Sequence, residues 1–141
     1  MIHRALRVKD WTCDFFFAVG GRNDTPAVMA CLYDYGADEA TAMQAFKIMD
    51  EGAENCGFTA SNQERRRALS WIGPQSDGKQ WINTSVHEIV HVAVAIAAEK
   101  GIAPFTEEFA YLCGDITQEI ADILCDLACD RCREHLLSQE K

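Results

Sequence analysis

Long apolar runs are missing from this chain, and that excludes a membrane-spanning architecture. The longest such run, Val92 to Ala98, falls well short of the ~20 residues a spanning helix needs, so no membrane is expected as a partner. The first residues, Met1 to Trp11, are charged throughout and lack the apolar stretch of a signal peptide, which predicts a cytoplasmic protein. Cationic charge is also scarce. Lys and Arg number 13 against 22 Asp and Glu, a formal net charge of −9, so no nucleic acid is expected as a partner. The one dense basic run, Arg65-Arg66-Arg67, follows Glu64 and reads as a solvated strand start. Proline is rare, with three in the chain, and no repeat, low-complexity tract or Ser/Pro-rich linker interrupts the sequence. Residues 1–141 therefore read as one domain. A chain near this length buries on the order of 70% of its unfolded surface, so it does not need a metal merely to fold.

The hydrophobic pattern predicts an α+β protein, a small antiparallel or mixed sheet packed on helices. Ile2 to Val8 and Trp11 to Val19 read as two short strands ending at Gly20-Gly21. Asp24-Thr25-Pro26 opens a helix that runs to Gly36, and Asp38 to Gly52 forms a second. Phe58 to Ala60 and Ala68 to Ile72 look extended, with Gly73-Pro74 ending the second run. The order of elements makes Ala68 to Ile72 a candidate edge to which an extended substrate could add as a further strand. A helix capped by Asn83, Thr84 or Ser85 continues to Lys100-Gly101, apolar on nearly every side from Ile89 onward, as expected of a core element. After Pro104, Thr106-Glu107-Glu108 marks the start of a long C-terminal helix through Leu136.

Within the core helix stands His87-Glu88-Ile89-Val90-His91, an HExxH sequence. Four residues make slightly more than one turn. The two imidazoles thus lie on one face, about 6 Å apart at their attachment points, and can share an ion. Glu88 sits about 100° around the axis and stays free of the metal. That division suits zinc hydrolysis, in which the metal acidifies water and an unligated glutamate takes the proton. The apolar flanks Val86, Ile89, Val90, Val92 and Val94 leave little polar face, and imidazoles buried without partners would be costly, a cost a metal would relieve.

A zinc site of this kind needs a third protein ligand. Val92 to Ile96 lacks the glycine and third histidine of HExxHxxGxxH, which excludes a metzincin. A glutamate from the next helix is the remaining common choice, and Glu107 and Glu108 stand sixteen and seventeen residues beyond His91. Glu107 is favoured because its helix face carries Ala110, Tyr111 and Gly114, two of them small enough for a close helix approach. Tyr111 either packs its ring or hydrogen-bonds a ligand or the oxyanion of a hydrolysed amide.

HExxH followed by Glu-x-x-Ala-Tyr-Leu-x-Gly resembles the small zincin-type, gluzincin-like proteins of phages, prophages and gut bacterial genomes. The resemblance spans roughly residues 55–117, including Gly57-Phe58-Thr59 and Ile72-Gly73, and is weakest in the N-terminal third. It implies a zincin-like fold, one Zn²⁺ on His87, His91 and Glu107, Glu88 as catalytic base, and a peptide or protein substrate. Tyr111 stands where larger gluzincins often place an aspartate, so Tyr111 or Asp115 would support the ligands instead. Two rival readings are a zinc-stabilised, phage-type binding factor without turnover and a metal-free helical interaction domain.

Seven cysteines, an odd number with no export signal, read as thiols. Cys125, Cys129 and Cys132, with His135 beyond, fall on one stripe of the expected long helix beside Leu124 and Ala128, which predicts small buried hydrophobes. Cys13, Cys31, Cys56 and Cys113 are scattered and read as packing residues.

Overall fold

The computed structural model describes residues 1–21 and 24–139. Strands β1 (Ile2–Val8) and β2 (Trp11–Phe17) form an antiparallel hairpin, closed by Lys9 and Asp10. Both turn residues have positive φ, 50° and 72°, as a two-residue turn matched to strand twist requires. Helices α1 (Thr25–Asp34) and α2 (Glu39–Glu51) follow, and then β3 (Gly57–Asn62) and β4 (Arg67–Ile72) form a second antiparallel pair. The strand order is β1-β2-β4-β3, with β2 and β4 parallel, so the sheet is mixed and the protein is α+β.

Side-chain alternation divides the sheet into two cores. Phe16, Leu69 and Trp71 face α1 and α2, where they pack with Val28, Leu32, Ala45 and Met49. Trp11, Phe15, Phe17, Ala68 and Ile72 face the other way, toward α3 (Gly78–Lys100), α4 (Glu107–Glu119) and α5 (Ala121–Ala128). Helix α6 (Asp130–Gln139) closes the described chain, resting Leu136 and Leu137 on that second core.

Three expectations need correction. Helix α3 starts at Gly78, not at residues 83–85, because Asp77 caps it by accepting from the Gln80 N–H at 2.9 Å. Thr84 and Ser85 are buried in its second turn, and Thr84 Oγ1 donates to Gln75 Oε1 at 2.7 Å. The long C-terminal helix is instead three helices, broken at Ile120 (φ −117°, ψ 10°) and Cys129 (φ −89°, ψ 118°). Each change of direction keeps an apolar face, Leu112 and Ile116 and then Ile123, Leu124 and Leu127, against the core. Strand β4, which the chain order suggested as a free edge, is internal, and the free edges belong to β1 and β3.

Among the described residues, α3 alone is long and apolar enough to cross a membrane, with a mean hydropathy of 1.2 over its most apolar window. Of that window 56% is buried inside the protein, as in a core helix. Asp77 at its start and Gly101 (φ 70°) at its end close both termini within the fold.

Candidate metal centre on helix α3

Helix α3 lies across β3 and β4, and its register sends Glu88 inward and the two histidines outward. His87 Nε2 and His91 Nε2 are 3.1 Å apart, and the rings meet edge to face with centroids 4.8 Å apart. Two nitrogens on a tetrahedral zinc, each ~2.0–2.1 Å from the ion, sit ~3.3 Å from one another. The imidazole pair is at hydrogen-bond distance, a spacing close to the bite of a shared ion. Both rings are exposed, so the expectation that buried imidazoles demand a metal is overturned. The outward face also carries Val86, Val90 and Val94, all substantially exposed. Sequence alone made the helix look apolar all round because these valines occupy its solvent side.

Glu88 is 3% exposed. Its Oε2 accepts from Thr59 Oγ1 at 2.5 Å, Thr59 Oγ1 is 2.8 Å from Ser70 Oγ, and Glu88 Oε1 lies 4.0 Å from His87 Nε2. The edge strand β3 and its neighbour β4 thus fix one carboxyl oxygen while the other faces the imidazole. Gly57 makes this approach possible, since a Cβ there would lie 2.6 Å from the Trp71 carbonyl oxygen and 3.3 Å from Glu88 Oε1. In the sequence, Gly57 and Thr59 enter only through the resemblance and Ser70 only as part of an extended run; the packing of α3 on β3 and β4 gives all three a role at Glu88.

Beside Glu88 opens a polar cavity of about 240 Å³, bounded by Asn55, Cys56 and Gly57 on one side and Asn83, Thr84 and His87 on the other. Burial, with the charges of Glu51 and Glu88, pushes the Cys56 thiol up, and the thiol donates to the Ala53 carbonyl at 3.0 Å. Cys56 is therefore a poor source of thiolate for a metal. A larger groove of about 520 Å³, lined by Met29, Tyr33, Met43 and Phe46, lies between α1 and α2 on the other side of the sheet and holds no acid-base pair.

The third ligand is not assembled. Among the described residues, no group of three His, Cys, Asp or Glu side chains is arranged to hold a metal. Glu107 and Glu108 are exposed in the first turn of α4, where Thr106 caps the helix. The face bearing Glu107, Ala110, Tyr111 and Gly114 points to solvent rather than to α3, so the small residues do not serve a close helix approach. Nothing lies within 4 Å of a Cβ built on Gly114, and α4 packs instead through Leu112 and Ile116. Tyr111 is 68% exposed, which removes the buried-ring reading, and Asp115 is exposed as well. Cys125, Cys129 and Cys132 are all exposed, against the expectation of buried packing residues, because the helix breaks at Cys129. No protein-family model, curated protein or solved structure matches the chain.

Proposed function

We propose that the chain is a zinc-dependent, zincin-like peptide hydrolase that uses Glu88 as general base. The observation that carries this reading is the 3.1 Å pair of exposed imidazole nitrogens with a buried carboxyl oxygen 4.0 Å from one of them. His87 and His91 would hold the ion, and Glu107, with Glu108 as its alternative, would serve as third ligand once the start of α4 turns its exposed acids toward them. When bound, zinc supplies Lewis acidity to water and to a peptide carbonyl. The protein's own part is proton handling. Thr59 anchors Glu88 at Oε2, which leaves Oε1 to take a proton from water in the cavity beside His87 and to pass it to the leaving amine. Tyr111, exposed on α4, is available to a bound substrate. The free edge of β3 supports an extended peptide as substrate, since a strand added there would run about 4.8 Å from Thr59. Seven free thiols support a cytoplasmic setting.

Glu88→Gln tests the proposal. It should retain zinc and fold while losing cleavage of an unstructured peptide library, and equal cleavage by both proteins removes Glu88 from the chemistry. The exposed stripe of Val86, Val90 and Val94 beside the histidines favours one second reading, a zinc-stabilised binding factor of phage type without turnover. A zinc-loaded wild type that cleaves nothing supports that alternative.

A further inference from the structure

The break between α5 and α6 creates a local geometry unrelated to the imidazole pair. Cys129 follows the last residue of α5, has extended backbone angles (φ −89°, ψ 118°), and directly precedes Asp130, the first residue of α6. Its carbonyl accepts from the Arg133 N–H at 2.9 Å, which is the first hydrogen bond of α6. Cys129 is therefore the N-cap of that helix, a position where a side chain faces unpaired backbone N–H groups and the positive end of the helix dipole. Three residues on, Cys132 lies one turn away. In helical geometry the Cα atoms of such a pair are ~5 Å apart, within the range a disulfide bridges. Both thiols are exposed, and a surface cleft of about 480 Å³ reaches Cys132 between Asp126, Arg131 and His135.

The electrostatics agree with the geometry. The backbone N–H of Cys132, then the Cys132 thiol, and also the backbone N–H of Arg131, hold the Cys129 thiol below its ordinary range, against the opposing charge of Asp130. Cys132 is displaced the other way, raised first by its hydrogen bond with Cys129. The two thiols are thereby differentiated into an attacking sulfur and a resolving one. Cys125, equally exposed within α5, has no helix N-terminus beside it and serves as an internal control.

We infer that Cys129 and Cys132 form a thiol–disulfide exchange site whose substrate is a small-molecule disulfide bearing carboxylates. The Cys129 thiolate attacks one sulfur of the substrate R–S–S–R. That bond breaks, the first R–S⁻ leaves with the electron pair, and a mixed disulfide forms on Cys129. The Cys132 thiol gives its proton to solvent, and its sulfur attacks Cys129 Sγ. The second R–S⁻ leaves, and both thiolates take up protons. The protein dithiol is oxidised by two electrons and the substrate disulfide is reduced by two. Arg131, in the cleft that Cys132 lines, supplies a cation for the substrate carboxylates, with Asp126 the one opposing charge in that lining.

The test incubates the full chain with oxidised glutathione and maps modified peptides by mass spectrometry. The wild type should accumulate a Cys129–Cys132 disulfide, Cys132→Ser should trap glutathione on Cys129, and Cys129→Ser should trap little on Cys132. In the unmodified wild type, Cys129 should be alkylated at neutral pH at least about fivefold faster than Cys125, as a thiol favoured in its ionised form requires. Glutathione spread evenly over Cys125, Cys129 and Cys132, a bridge between Cys125 and Cys129, or equal alkylation rates would each overturn the inference.

Discussion

Two carboxyl groups are buried on opposite faces of the same sheet, and their surroundings differ in one respect. Asp14, on β2, meets His3 Nε2 at 2.8 Å and has Arg67 Nη2 at 3.6 Å. Glu88, on α3, meets the Thr59 hydroxyl, and among the described residues the one group able to carry positive charge within 4.0 Å of it is His87. Asp14 is answered by charge within the fold, as buried carboxyl groups generally are. The Asp14 charge reaches Cys31, whose thiol is pushed up to about 12 by burial first and then by that carboxylate. The fold buries Glu88 as it buries Asp14, but among the described residues it gives Glu88 no permanent cation within 4.0 Å. That is the condition the proposed role requires of a carboxyl working beside a bound ion.

The largest effect that would sharpen this contrast is catalytic. Glu88→Gln should reduce peptide cleavage by roughly 10²- to 10⁴-fold, the contribution of a positioned general base, and steady-state assays on a peptide library would measure it. The same substitution should move the folding free energy of the zinc-free protein by less than about 1 kcal/mol, because the Thr59 hydroxyl serves an amide oxygen as well as a carboxylate. Asp14→Asn should behave oppositely. Removing the negative charge that faces His3 and Arg67 should cost roughly 1.5–3 kcal/mol in denaturant unfolding while sparing any cleavage activity. If Glu88→Gln proves the more destabilising of the two, Glu88 is a structural carboxyl and the contrast fails. The smallest effect belongs to Thr59→Val, which should cost about 1–2 kcal/mol. It should also lower cleavage about tenfold through misplacement of Glu88, so stability lost with full activity retained would confine Thr59 to packing.

How far the sequence could be read depended on whether a residue's role was local. The glycine stops, the helical span from Asp38 to Gly52 and the HExxH spacing each follow from a few neighbouring residues, and the structure has helix α2 bounded by Asp38 and Gly52. The pairing of His87 with His91 was legible for the same reason. The inward orientation of Glu88 was not, because it depends on β3 and β4 arriving beneath α3 from a distant part of the chain. Buried Thr84 and Ser85 imitated a helix cap, while the true start needed Gly78, whose Cβ would fall 2.2 Å from the Ala128 carbonyl oxygen. The C-terminal periodicity ran unbroken through Ile120 and Cys129, and only the curvature of the core required the chain to turn there. The edge strand was misassigned because chain order does not reveal that β4 inserts between β2 and β3.

The central claim is that His87 and His91 hold an ion beside Glu88, and zinc binding tests it most directly. Equilibrium dialysis of metal-free protein against Zn²⁺ should give about one zinc per chain in the wild type and in Glu88→Gln. His87→Ala and His91→Ala should each weaken binding by more than about 10²-fold, the upper range seen when merely a supporting residue around a metal is removed. Wild-type protein that takes up no stoichiometric zinc, or that binds it unchanged after both histidines are replaced, would contradict the account.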